Sequence, residues 1–260
     1  MNRLTVTLIT RDEEKNLPRA LASLSNLADE IVVVDSGSTD RTCELARQHG
    51  ARVLERPWTN YSDQKNFAAA QATYDWVLNL DADEELSPGL QTSLRRWKED
   101  TPTAVAYHMR RKARYLGRWI HHSGWYPDPK LRLYRRDRAH FIHELHEKLQ
   151  VEGLVGWLEG DLHHYTVDTF GEHIRSVRRY TTLAAAQLFA AGRRRWLLPM
   201  LFASPWAFLR TFFLQQGFRD GYRGFLIALM AAYYVFLKYR KLGVLVRGGS
   251  LESGPGRARS

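Results

Sequence analysis

The segment Glu30–Asp35, EIVVVD, constrains this chain more than any other six residues. A near-continuous β-branched run ending in a carboxylate reads as a strand buried on both faces of a parallel sheet. Parallel neighbours need crossover connections, so helices must flank such a strand. The surrounding residues supply them. Residues 3–10 form an earlier β-branched run, and Leu17, Leu21 and Leu24 follow at helical spacing. After Asp35 the polar turn 36–40 leads into a helix that Gly50 ends. A strand at 51–56, a helix at 62–72 and a fourth strand at 76–81 complete the series, and Ser87-Pro88 opens another helix. The expected fold is α/β, a doubly wound Rossmann-like sheet.

From 104 to about 162 the pattern changes to short strand-like runs crowded with Arg, Trp and Tyr, which predicts a mixed or antiparallel extension of the sheet. From Phe170 onward the chain reads as helices. The expected organisation is an α/β domain over 1–170, a helical region over 171–247, and a disordered Gly/Ser/Arg-rich tail over 248–260.

Ligands of open α/β sheets bind at the carboxyl ends of the strands. Acidic residues collect at those ends here: Glu13 just after Thr10, Asp35, and then Asp81, Asp83, Glu84 and Glu85. Such a cluster repels itself unless a cation or hydrogen-bond donors neutralise it. Asp81 and Asp83 are two apart, so in an extended segment they face one side and converge on a single hard ion, Mg²⁺ or Mn²⁺. The bland alternative is a solvated acidic turn before the Ser87 helix. Asp35 suits a base N–H or ribose hydroxyls, or else caps the next helix. Glu13 is a nucleotide contact or a first-turn helix charge. Lys65 and Asn66 serve base or phosphate recognition, or face solvent.

TLITRDEEKNL, IVVVDSGSTDRT, YSDQKNFA and WVLNLDADEEL, in this order, resemble the inverting family-2 glycosyltransferases of GT-A fold. The likeness continues through YLGRWIHHSGWYPDPKLRLYRR, LHEKL and GDLHHYT, and is greatest to bacterial lipopolysaccharide inner-core β-1,4-glucosyltransferases. Asp12 departs from the family, which commonly has Asn there. The resemblance implies a UDP-sugar donor bound by Thr10, Glu13, Asp35, Lys65 and Asp81. It also implies a divalent ion on Asp81, Asp83 and His164 (His163 being the alternative), and Glu147 as general base with Glu144 as local rival. Trp125, Asp128 and Arg132 are expected in the acceptor cleft, Arg132 against an anionic group. HELHE is not the zinc-protease pattern, because His143 and His146 are three apart. The acceptor is expected to be the lipopolysaccharide core or another lipid-linked sugar. A polyprenyl-phosphate acceptor is the nearest rival, and a non-catalytic membrane adaptor is the alternative of another class.

Charge separates the two halves. Residues 1–192 balance, and the whole net charge of +10 arises in 193–260. A basic, aromatic end on a neutral body points to an anionic membrane surface and away from nucleic acid. The apolar runs 196–209 and 224–237 are each shorter than the roughly 20 residues of a spanning helix. Interfacial association is therefore the expectation, worth about 1 kcal/mol per cation near anionic lipid. Snorkelling core helices or a homo-oligomer surface would use the same residues. A single Cys43 and an N-terminus lacking the pattern of a signal peptide suggest a cytoplasmic protein, peripheral on the inner membrane's cytoplasmic face.

Overall fold

The computed structural model describes residues 1–142 and 147–251. In chain order the strands are β1 Leu4–Thr10, β2 Glu30–Asp35, β3 Arg52–Glu55, β4 Trp76–Asn79, β5 Glu84–Leu86, β6 Ala106–Tyr115, β7 Arg118–Trp119, β8 Asp128–Arg135, β9 Ala139–Ile142, β10 Lys148–Val151 and β11 Val155–Val167. The helices are α1 Leu17–Ala22, α2 Thr42–Gln48, α3 Tyr61–Ala70, α4 Pro88–Glu99, α5 Phe170–Ala190, α6 Leu197–Leu209 and α7 Gly221–Val246. Two compact units emerge. The first comprises Met1–Arg111 and Asp128–His164, and the second Lys112–Pro127 and 165–251. The sequence expectation had placed 112–127 in the α/β domain and divided the chain at 170.

The main sheet runs β3-β2-β1-β4-β8-β6-β11-β5, with β7 beside β6. β3, β2, β1 and β4 are mutually parallel, and β8 joins β4 antiparallel. This is the expected α/β architecture with a mixed extension. All seven residues of β1 are buried. Leu4, Val6 and Leu8 pack with Leu17 and Leu21 of α1 and Leu90 and Leu94 of α4, while Ile9 joins Val32, Val34 and Ala68. Burying such side chains is worth about 1.5–3 kcal/mol each, and helices on both faces explain the unbroken apolar pattern of β2.

β4 stops at Asn79 instead of continuing to Asp81, and the chain turns back with Glu84 N–H donating to Asp81 C=O at 3.0 Å. β5 then pairs antiparallel with β11, setting Glu84 opposite His164. Ser87 caps α4 by accepting from Leu90 N–H at 3.2 Å, and the same hydroxyl oxygen accepts from Asp161 N–H at 3.1 Å, so the cap also fixes β11. Gly160 makes this approach possible. Its φ is +95°, and a Cβ there would lie 2.3 Å from the Leu90 nitrogen.

In the second unit α7 packs against both α5 and α6. α5 starts in a capping box between Thr169 and Glu172. The expectation that no apolar run reaches spanning length is corrected. α6 continues through a π-helical turn, Arg210–Leu214, giving one helical segment, Leu197–Leu214, long and apolar enough to cross a membrane. Pro199 sits in the first turn, where its missing N–H costs nothing, and the helix passes Pro205 without breaking. Only 11% of that segment is buried.

Candidate active site

At the end of β1, Thr10 Oγ donates to Asp35 at 3.0 Å. Asp35 also accepts from the backbone N–H groups of Gly37 (3.0 Å) and Ser38 (2.8 Å) and from the Ser38 hydroxyl. A carboxylate has about four acceptor positions, and these bonds use them. Asp35 thus holds the turn after β2 and does not cap α2, whose N-cap is Arg41; a nucleoside hydroxyl would have to displace one of its donors. Glu13 accepts from Asn16 Nδ2 at 2.9 Å, while its backbone N–H donates to Thr42 Oγ. Asp12 has φ +56° and accepts from Thr39 N–H at 2.8 Å. Asn and Asp are the side chains that best tolerate that left-handed conformation, so Asp in place of Asn keeps the loop.

The centre of the site is a chain of alternating charges. Lys65, on α3 and 2% exposed at its side chain, places its Nζ 3.0 Å from Asp81 Oδ1 and 3.1 Å from Glu147 Oε1. Its neighbour Asn66 is used structurally, exchanging two hydrogen bonds with the Phe141 backbone and so pinning β9. The other oxygen of Asp81 is bonded to Arg132 Nη2, which also donates to Glu84 at 2.7 Å. Burial opposes ionisation of Asp81, but the Arg132 and Lys65 charges outweigh it and hold the carboxyl well below the usual carboxylate range. Burial likewise works against the Arg132 cation, and Asp81 and Glu84 reverse that effect and raise its pKa.

Asp83 takes a different partner. Its Oδ2 lies 3.2 Å from His164 Nε2, both side chains being partly exposed. Asp81 and Asp83 take different partners here because they stand in a turn, where the two-residue alternation of a strand no longer applies. Among the described residues no three His, Cys, Asp or Glu side chains assemble into a metal site, so the trio Asp81, Asp83 and His164 is not formed. The Asp83–His164 pair alone offers one oxygen and one nitrogen donor. That suits an ion completing its shell with water and phosphate oxygens.

The acceptor residues are dispersed. Arg132, expected against an acceptor anion, is 6% exposed and paired with Asp81 and Glu84. Asp128 is bound through Arg111 Nη2 at 2.8 Å and Lys130 at 3.1 Å. Trp125 belongs to the second unit, edge-on to Tyr115 with centroids 5.4 Å apart. Glu144 lies outside the described residues. Sequence reasoning missed Glu84 as the fully buried anchor of Arg132, and Arg111, whose Nη1 is 3.5 Å from it. The signal was present in the length of the acidic run DADEE, which needs more than one internal cation.

The family model for glycosyl transferase family 2 matches residues 5–148. The lipopolysaccharide core biosynthesis glycosyltransferase LpsC of Rhizobium meliloti is 32% identical, over 92% of this chain and 91% of its own. An uncharacterized glycosyltransferase of Rickettsia typhi is 30% identical, over 93% of this chain and 87% of its own. Among solved structures, Staphylococcus aureus TarS 1-349 in complex with UDP-GlcNAc has 16% identity and a TM-score of 0.49, covering 95% of this chain and 92% of that one. Lys65, Asp81, Arg132 and Glu147 all fall inside the matched span, and the chain belongs to glycosyl transferase family 2, a glycosyltransferase of GT-A fold.

Proposed function

We propose that this glycosyltransferase moves a hexose, with inversion, from UDP-glucose or a close UDP-sugar to a lipid-linked acceptor, the heptose of the lipopolysaccharide inner core. The observation that carries the reading is the Lys65 ammonium, shared between Asp81 at 3.0 Å and Glu147 at 3.1 Å. It brings the candidate base and a strand-end carboxylate within reach of one cation, in the region where open α/β sheets bind nucleotides. The LpsC likeness supports the acceptor class.

Glu147 takes the proton from the acceptor hydroxyl as its oxygen attacks the anomeric carbon. The new carbon–oxygen bond forms as the bond to the diphosphate breaks, and UDP leaves from the opposite face. Lys65 orients Glu147 through its ion pair, and Arg132 and Glu84 hold Asp81 in place. Asp83 and His164 would hold Mn²⁺ or Mg²⁺, which would supply charge stabilisation to the departing diphosphate. The nitrogen donor favours Mn²⁺.

We further place the protein on the cytoplasmic face of a bacterial inner membrane. Exposed Leu198, Leu201, Phe202, Trp206 and Phe213 on the Leu197–Leu214 segment, in the basic region, support that reading. The decisive experiment is a donor screen on purified lipopolysaccharide acceptors, scored by mass increment. A hexose gain only from UDP-glucose supports the assignment. Transfer to a polyprenyl phosphate, with activity retained in Glu147→Gln, would replace it.

A further inference from the structure

The second unit contains a cavity of about 390 Å³ bounded by α5, the Leu197–Leu214 segment and α7. That volume falls in the range of about 300–1,000 Å³ typical of small-molecule sites. Val177, Ile227, Met230 and Val235 give it an apolar side, while Trp125, Thr211, Gln215 and Tyr234 bring polar groups to the rest of its lining. Among the described residues Arg210 is the one permanently charged side chain lining it, and no carboxylate does. Of the other titratable lining residues, His173 is engaged by the Tyr115 hydroxyl at 2.8 Å with its pKa lowered by burial, and burial raises that of Tyr234.

The Arg210 side chain, exposed on the segment, has no hydrogen bond or ion pair among the described residues. It is also the only charged residue in Leu197–Leu214. One helical turn away stand Trp206 and Phe213, each 55% exposed, and Leu214, 67% exposed. An arginine in water needs no partner, but a guanidinium set in an apolar face needs an anion, and phosphate matches its planar donor fork. A cavity with an apolar side and one unpaired guanidinium on its wall matches a single amphiphile, an apolar chain joined to a phosphate.

We propose that this cavity seats one acyl chain of an anionic glycerophospholipid whose phosphate is held by Arg210. The second unit then carries a stoichiometric lipid, beyond lying on a charged surface. No residue of the sugar-nucleotide site is involved, so the proposal stands or falls apart from the glucosyl-transfer reading.

The test uses the full chain purified in detergent and exchanged with phosphatidylglycerol or phosphatidylcholine, with bound lipid counted by native mass spectrometry. One phosphatidylglycerol per chain is expected, with phosphatidylcholine weaker. Arg210→Gln should weaken phosphatidylglycerol by about tenfold. Ala231→Trp, which fills the cavity, should abolish the bound lipid while leaving pelleting with phosphatidylglycerol vesicles intact. Circular dichroism and UDP calorimetry confirm that both variants are folded. Unchanged lipid stoichiometry in both folded variants would overturn the proposal, as would equal retention of phosphatidylcholine. Displacement of the lipid by inorganic phosphate alone would also overturn it, because the cavity's apolar side would then contribute nothing.

Discussion

Lys65 and Glu147, 82 residues apart in the chain, meet at 3.1 Å, and the same ammonium holds Asp81. If Glu147 is the base, Glu147→Gln should lower kcat by about 10²–10⁴-fold while UDP-sugar binding by calorimetry is retained. Lys65→Met removes the partner of both carboxylates. Its loss should therefore be non-additive with Glu147→Gln, the double variant falling little below the worse single one. Fully additive losses would show that the two residues act independently.

Asp83 and His164 define the second test. Mn²⁺-dependent UDP binding should disappear in Asp83→Ala and on chelation, and should weaken by about 10–100-fold in His164→Ala. His163→Ala should leave it unchanged. Metal-dependent binding that survives in both Asp83→Ala and His164→Ala would remove the pair from the donor site.

The parallel half of the sheet was legible because local pattern and burial agree there. EIVVVD is apolar on both pleats since α-helices cover both faces of β2, and Ser87-Pro88 carries its cap in its own residues. The site was legible as a set of residue types but not as a set of pairings. Asp81 and Asp83 look equivalent in sequence, and they part because the strand ends at Asn79 and a turn intervenes. Which of them receives Arg132 or His164 depends on β8 and β11, strands that come about 50 and 80 residues later. Nothing in DADEE alone encodes those long-range neighbours. Asp35 shows the same limit: the donors around it include the backbone of the very turn it stabilises, and its residue type alone does not reveal them.

Glu30 provides a pH signature for the parallel sheet. Burial opposes its ionisation, but Arg52 at 2.8 Å, the Thr73 N–H and hydroxyl, and Thr5 more than compensate and lower its pKa to about 2. Ionised Glu30 therefore stabilises the fold fully above its ordinary value of 4.5, and that contribution is lost as pH falls through about 2. Because Arg52 is 43% exposed and the pair is screened by solvent, Glu30→Gln should cost on the order of 1 kcal/mol in urea unfolding at pH 6 and much less near pH 2. An equal cost at both pH values would assign the effect to shape and neutral hydrogen bonds.

The Leu197–Leu214 segment separates two modes of membrane association by their response to salt. A surface held by cations and a shallow apolar face loses affinity as the Debye length shrinks from about 10 Å at 0.1 M to about 3 Å at 1 M salt. Association through the basic region predicts release from phosphatidylglycerol vesicles at 1 M salt. Phe202 is 69% exposed, so its replacement leaves the core of the unit untouched. Phe202→Ser with Phe213→Ser should weaken vesicle binding at low salt, each lost ring removing apolar contact worth about 1.5–3 kcal/mol when fully buried. Retention of the wild-type protein in the detergent phase regardless of salt would instead mean that the segment inserts, which its length permits.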